Sequence, residues 1–246
     1  MITVSIENNF DSWRRTARIL LADNTPPHDI NWLSGSQSSL FPTELPTSNS
    51  KPVHKVDSHF IELARFIACH NSSEKWSLLY TLLFRLVNEN RHLLEIESDE
   101  DVRRARLMAK AVTKDIHKFH ALVRFRRTEC DGKEIYFAWY EPHHFTVELS
   151  TPFFARRFGS MRFSILTPKG CAHWDLQRLS FSSGVEKTTV TDPDDTEDFW
   201  LAYYASIFNP FRLKIKAMKK ELPVRHWKTL PEAVLIDSLI KEAINR

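Results

Sequence analysis

The sequence predicts an α+β protein, with a central antiparallel sheet over about residues 120–182 flanked by N-terminal and C-terminal helices. Apolar residues recur at helical spacing through the first half of the chain. Near His120 the pattern changes to β-branched and aromatic residues at a period close to two, with Asp131-Gly132 between two such runs. Helical spacing then returns toward the end. Helices and strands that fall in separate blocks argue for α+β over alternating βαβ units.

The first helix is read from Phe10, Trp13, Ala17 and Leu20/Leu21, with Pro26-Pro27 ending it. A second carries Phe60, Leu63, Ala64 and Ile67 on one side. A third, capped by Ser72 or Ser73, carries Trp76, Leu79, Leu83 and Leu86. Ser98-Asp99-Glu100-Asp101 fits a capping box, and the helix behind it runs through Val102, Ala105, Ala109, Val112 and Ile116. Strands are expected at 121–127 and 135–140, then at Phe145–Leu149, Met161–Thr167 and His173–Phe181. Thr196–Phe208, stopped by Asn209-Pro210, and Glu232–Ile244 close the chain as helices. Residues 1–33 form an N-terminal helical segment, 34–56 a Ser/Pro/Thr-rich linker and 57–246 the main domain, or all of it one compact domain.

Composition narrows the function classes. The 246 residues are 42% hydrophobic and 26% charged, long enough for a core without disulfide staples. No apolar run approaches a membrane span, so no membrane partner is expected. The start lacks a basic, apolar leader, and the three scattered cysteines suit neither a disulfide framework nor a thiolate zinc site. The expectation is a cytoplasmic protein. Five glycines leave no Gly-x-Gly-x-x-Gly, P-loop or Gly-x-Ser-x-Gly, and no cofactor is implied. Cys171, His173 and Asp175 crowd one predicted strand, where triad geometry rarely forms.

The net charge of +3 hides an uneven layout. Residues 103–128 hold nine Lys and Arg against Asp115 alone among the acids before Glu129. A second basic block spans 211–228, and acids collect at 192–198. Such blocks sum to a local positive field, and they read equally well as solvated helix faces.

An Asp-Gly turn at 131–132 makes facing residues sum to 263, so Arg124 meets Trp139 and Arg126 meets Phe137. Val123, Phe125, Ala138 and Tyr140 then point to the core. Guanidinium groups beside rings suit either a structural stack or a surface that binds phosphate and stacks a base. The candidate nucleic-acid contacts are Lys114, Lys118, Arg124, Arg126, Arg156, Arg157 and Trp139. Phe153, Phe154 and Phe158 read as packing aromatics.

Histidines are the one concentrated chemical signal. Asp115-Ile116-His117-Lys118-Phe119-His120 sits at a helix end and Glu141-Pro142-His143-His144 just after a strand. The hairpin should return the second segment toward the first. His117, His120, Glu141, His143 and His144 are the candidate catalytic set, for general acid–base chemistry or a divalent metal. Their spacing matches no established metal signature, and no metal ligand is assigned. Histidines that end strands are more often hydrogen-bonded structural residues.

Residues 115–126, Asp-Ile-His-Lys-Phe-His-Ala-Leu-Val-Arg-Phe-Arg, resemble the core of a bacterial family of DNA-metabolism and DNA-repair proteins whose shared domain has no assigned function. The likeness extends to Ala138–His144, Pro152–Phe158, Ser164–Pro168, Tyr203–Pro210 and His226–Ala233, and to Trp13-Arg14, Ala17-Arg18 and Trp32. Lys114 stands where the family often has Arg, Phe119 replaces Met, and Phe211 replaces a small residue. Similar domains are fused to uracil-DNA-glycosylase-like domains or encoded beside radical S-adenosylmethionine (radical SAM) proteins. The resemblance thus implies a DNA-binding accessory protein in repair or modification, acting on DNA with a separate partner enzyme of either kind. The alternative is an enzyme of nucleic-acid metabolism centred on the histidine set. The residues leave open whether the chain is catalytic.

Overall fold

The computed structural model describes residues 2–34, 56–130 and 133–186. The chain divides into two compact units, Met1–Lys114 and the part from Asp115 onward. The predicted helices at 196–208 and 232–244, the basic block 211–228, the acids 192–198 and most of the expected linker lie outside the described residues.

In the first unit, β1 (Ile2–Ile6) pairs in parallel with β2 (Ile30–Ser34), and α1 (Phe10–Ala22) is the crossover between them. Neither strand was expected, although Ile2, Val4 and Ile6 alternate as a half-buried strand must. Asn9 caps α1, its carboxamide oxygen accepting from the Ser12 N–H at 2.8 Å. Helices α2 (Ser58–Ala68), α3 (Lys75–Asn88) and α4 (Glu100–Leu122) follow near the expected places. The α4 cap is Asp99 in place of Ser98: its carboxylate accepts from the Val102 N–H at 3.1 Å. Trp13, Phe60, Ala64, Trp76, Leu79 and Tyr80 fill the core of this unit. The predicted apolar faces of the first three helices are therefore the buried ones.

In the second unit, α4 continues to Leu122, and β3 (Arg126–Cys130) pairs antiparallel with β4 (Lys133–Trp139). Arg126 faces Phe137 in the expected register, while the turn residues Asp131 and Gly132 lie outside the described residues. Arg124 precedes β3, so the anticipated Arg124–Trp139 pair is absent from the ladder. Helix α5 (Val147–Arg157) carries the chain to β5 (Phe163–Leu166), which lies parallel to β4. Antiparallel β6 (Cys171–Trp174) and β7 (Leu179–Ser182) complete the order β3-β4-β5-β6-β7.

The sheet is thus mixed where a wholly antiparallel one was expected. The reason is that 145–149 begins a helix instead of forming a strand. Its Phe, Thr and Val favour a strand locally, and Pro152 inside α5 disguises the helix. The strand expected at 173–181 is two strands. Asp175 accepts from the Gln177 and Arg178 N–H groups at 2.9 and 2.7 Å, and Leu176 takes φ 84°. A positive φ at leucine leaves no turn signature in the sequence. Phe119, Tyr140, Phe154, Phe163 and Ile165 form the second core, with the Phe119 and Tyr140 rings 4.6 Å apart.

Candidate functional site: the α4–α5 face

Two neighbouring helix segments of the second unit, the end of α4 and the whole of α5, position most of the predicted site residues. What ties them is a buried acid. Asp115 is 4% exposed, and its carboxylate accepts from the N–H groups of His143 (3.1 Å) and His144 (3.0 Å) and from the Thr146 hydroxyl (3.0 Å). Three donors on one buried carboxylate fix the loop that leads into α5. Lys169 adds a bond from its ammonium to the His143 carbonyl, and lies 4.8 Å over the Phe145 ring.

The predicted histidine centre resolves into separate arrangements. His143 and His144 meet edge to face at 4.7 Å. His143 is exposed, and His144 is 4% exposed. Glu141 accepts from the Trp139 indole N–H at 2.9 Å. Among the described residues, no group of three His, Cys, Asp or Glu side chains could hold a metal ion. Asp115 clasps the backbone at His143 and His144.

His120 stands in a different setting. Its Nε2 meets the Ser150 carbonyl oxygen at 3.0 Å, so that nitrogen carries the hydrogen and donates. Its ring stacks on Phe153 with centroids 4.3 Å apart and planes 23° apart, and meets Phe154 edge-on at 5.7 Å. Burial holds the His120 imidazole below its ordinary range; the charges of His117 and Arg156 push the same way, while the bond to Ser150 opposes them. Close to neutral pH the ring is therefore an uncharged platform.

The predicted nucleic-acid contacts separate as clearly. Arg156 and Arg157 are exposed in the last turn of α5, where cations also complement the helix dipole. Arg157 lies 5.6 Å from the Phe158 ring centroid. His117 is exposed and Lys118 half-buried on α4; Lys114 is exposed one turn earlier, at the end of the first unit. Arg124 bonds the carbonyls of Ala121 (2.7 Å) and Val123 (3.2 Å), closing the end of α4. Arg126 is half-buried opposite Phe137. Trp139 is a correction: at 8% exposure, with its N–H held by Glu141, it has no open face for a base.

Phe153 is the residue that sequence reasoning misplaced. Consecutive helical residues point about 100° apart, so Phe153 and Phe154 cannot share one direction. Phe154 is 2% exposed in the core, and Phe153 is 36% exposed. Reading 152–158 as helix would have separated the two. Elsewhere, a groove of about 260 Å³ in the first unit is lined by Glu74, Ser77, Leu78, Thr81, Asp101 and Arg104, and holds none of the predicted residues.

The chain matches no curated protein and no solved structure. Residues 73–232 match the family described as a domain of unknown function, DUF4130. That stretch contains α3, α4, the five-stranded sheet and the whole α4–α5 face. With more than half of its length matched, the chain belongs to the DUF4130 family.

Proposed function

We propose that this protein binds nucleic acid through the α4–α5 face, as an accessory module in DNA repair or modification. Its partner would be a separate enzyme of the radical SAM or uracil-DNA-glycosylase-like kind. The observation that carries the binding reading is the exposed Phe153 ring stacked on His120, with Arg156 close enough to act on that imidazole and Arg157 next to it. Cations supply attraction for phosphate and a ring supplies a surface for a base. The repair context rests on the family resemblance at residues 115–126, 138–144, 152–158 and 164–168.

Fluorescence anisotropy with labelled DNA at two salt concentrations tests the binding. Affinity should fall steeply with salt, because displaced counterions dominate it. Replacing both Arg156 and Arg157 with Ala should weaken binding about tenfold or more and make the salt dependence shallower by about one unit per lost contact. Absence of binding at low salt overturns the reading. So does a double variant that binds as the wild type does.

A further inference from the structure

We infer that the α4–α5 face takes single-stranded nucleic acid in preference to duplex, with one unpaired base laid on Phe153. This inference rests on the nucleic-acid reading of the same face. Along α5, Leu149 (39% exposed) and Phe153 (36% exposed) lie one turn apart, and Arg156 and Arg157 follow three and four residues after Phe153. Residues at those spacings share a helix face. The order along that face is therefore apolar, aromatic, cationic.

A duplex meets such a face with phosphates and sugars, because its bases are stacked inside. The arginines would be satisfied, but Leu149 and Phe153 would face a charged backbone and gain nothing from it. An unpaired strand offers a base as well. The Phe153 ring suits it because it is already backed. One side packs on His120 of α4, and His120 is held in place by its bond to the carbonyl of Ser150, which lies one turn before Phe153 on α5. A platform that does not have to be ordered on binding loses less conformational freedom when a base arrives. Stacking on a ring tolerates any base, so the preference is for strandedness rather than sequence.

The test uses the full chain and three probes: a labelled mixed-sequence DNA strand, the same strand annealed to its complement, and the matching RNA strand. The DNA single strand should bind about tenfold tighter than the duplex, and the RNA strand should share that advantage. Phe153→Ala should remove most of that advantage while leaving duplex binding within about twofold, and Phe153→Trp should restore it. Circular dichroism confirms folding; Leu149→Ala, on the same exposed face, serves as a second variant and should reduce the advantage in part. Equal binding of strand and duplex, or an equal loss for both in Phe153→Ala, overturns the inference and leaves charge-driven binding intact. No binding to any probe overturns the inference together with the reading beneath it.

Discussion

The two units differ in the charges they pair and bury. In the first, three arginines pair with acids. Arg85 holds Asp99 at 2.6 Å and Asp101 at 2.9 Å, and reaches Glu89 at 3.3 Å. Arg104 reaches Glu74 at 3.2 Å, and Arg106 reaches Glu97 at 3.1 Å. In the second, the buried acid Asp115 is tied to neutral donors, while Arg156 and Arg157 stand at the surface. The same residue types thus pair with acids at some positions and stand exposed at others. A basic run in a sequence does not tell these uses apart, because the acids that neutralise it arrive from elsewhere in the chain. Arg127 illustrates this within the second unit, pairing across the hairpin with Glu134 at 3.2 Å.

The largest effect should come from Asp115→Ala. It strips an acceptor from two backbone N–H groups and a hydroxyl, all buried or half-buried. A buried donor left without a partner costs about 1–3 kcal/mol, so a loss of about 3–4 kcal/mol is expected. Urea denaturation measures the loss, and amide hydrogen exchange should show it first across residues 143–157. A loss below about 1 kcal/mol would mean that the loop before α5 is held by something other than this carboxylate.

Arg85→Ala is the matching change in the first unit. Its guanidinium is 25% exposed and its two closest partners 15% and 27%, so solvent screens part of the attraction. The network also keeps Asp99 ionised, since the bond to Arg85 holds that carboxyl below the usual carboxylate range. A loss of about 2 kcal/mol is expected, below that of Asp115→Ala. The variant's nucleic-acid binding should match the wild type. If Arg85→Ala weakens DNA binding without lowering stability, the division of charge between the halves is wrong.

Much of the architecture was legible because it depends on periodic burial. The faces of α1, α2 and α3 follow from apolar spacing, and the hairpin register, with Ala138 and Tyr140 in the core, follows from the place of the Asp-Gly pair in the sequence. What was not legible depends on partners far along the chain or on rare backbone. The helix at α5 is hidden by Pro152 and by β-favouring neighbours, and the β6–β7 turn by the positive φ of Leu176. The two histidine segments were expected to lie near each other, and Asp115 joins them, yet their arrangement depends on which atom of each residue is used. His143 and His144 meet Asp115 through backbone N–H groups, a distinction that no spacing rule carries. Trp139 looked like a binding residue because pairing register says which side of a sheet a ring is on, not what lies over it.

The smallest effect is the one that isolates His120. In the folded protein, burial foremost, with the charges of His117 and Arg156, places its proton affinity below the ordinary value of 6.5. The unfolded chain, lacking that environment, takes up the proton first as pH falls. Stability contributed by neutral His120 is therefore present above pH 6.5 and lost progressively below it. Wild type should lose more stability on acidification through that value than His120→Asn, which cannot take up the proton. Denaturation midpoints on either side of that pH measure the difference. In the presence of a bound strand the gap should narrow, because phosphates near Arg156 would favour the imidazolium that the free protein resists. Parallel acid profiles for wild type and His120→Asn would show that the imidazole feels neither burial nor the cations beside it, and Phe153 would lose the uncharged backing on which its use as a platform depends.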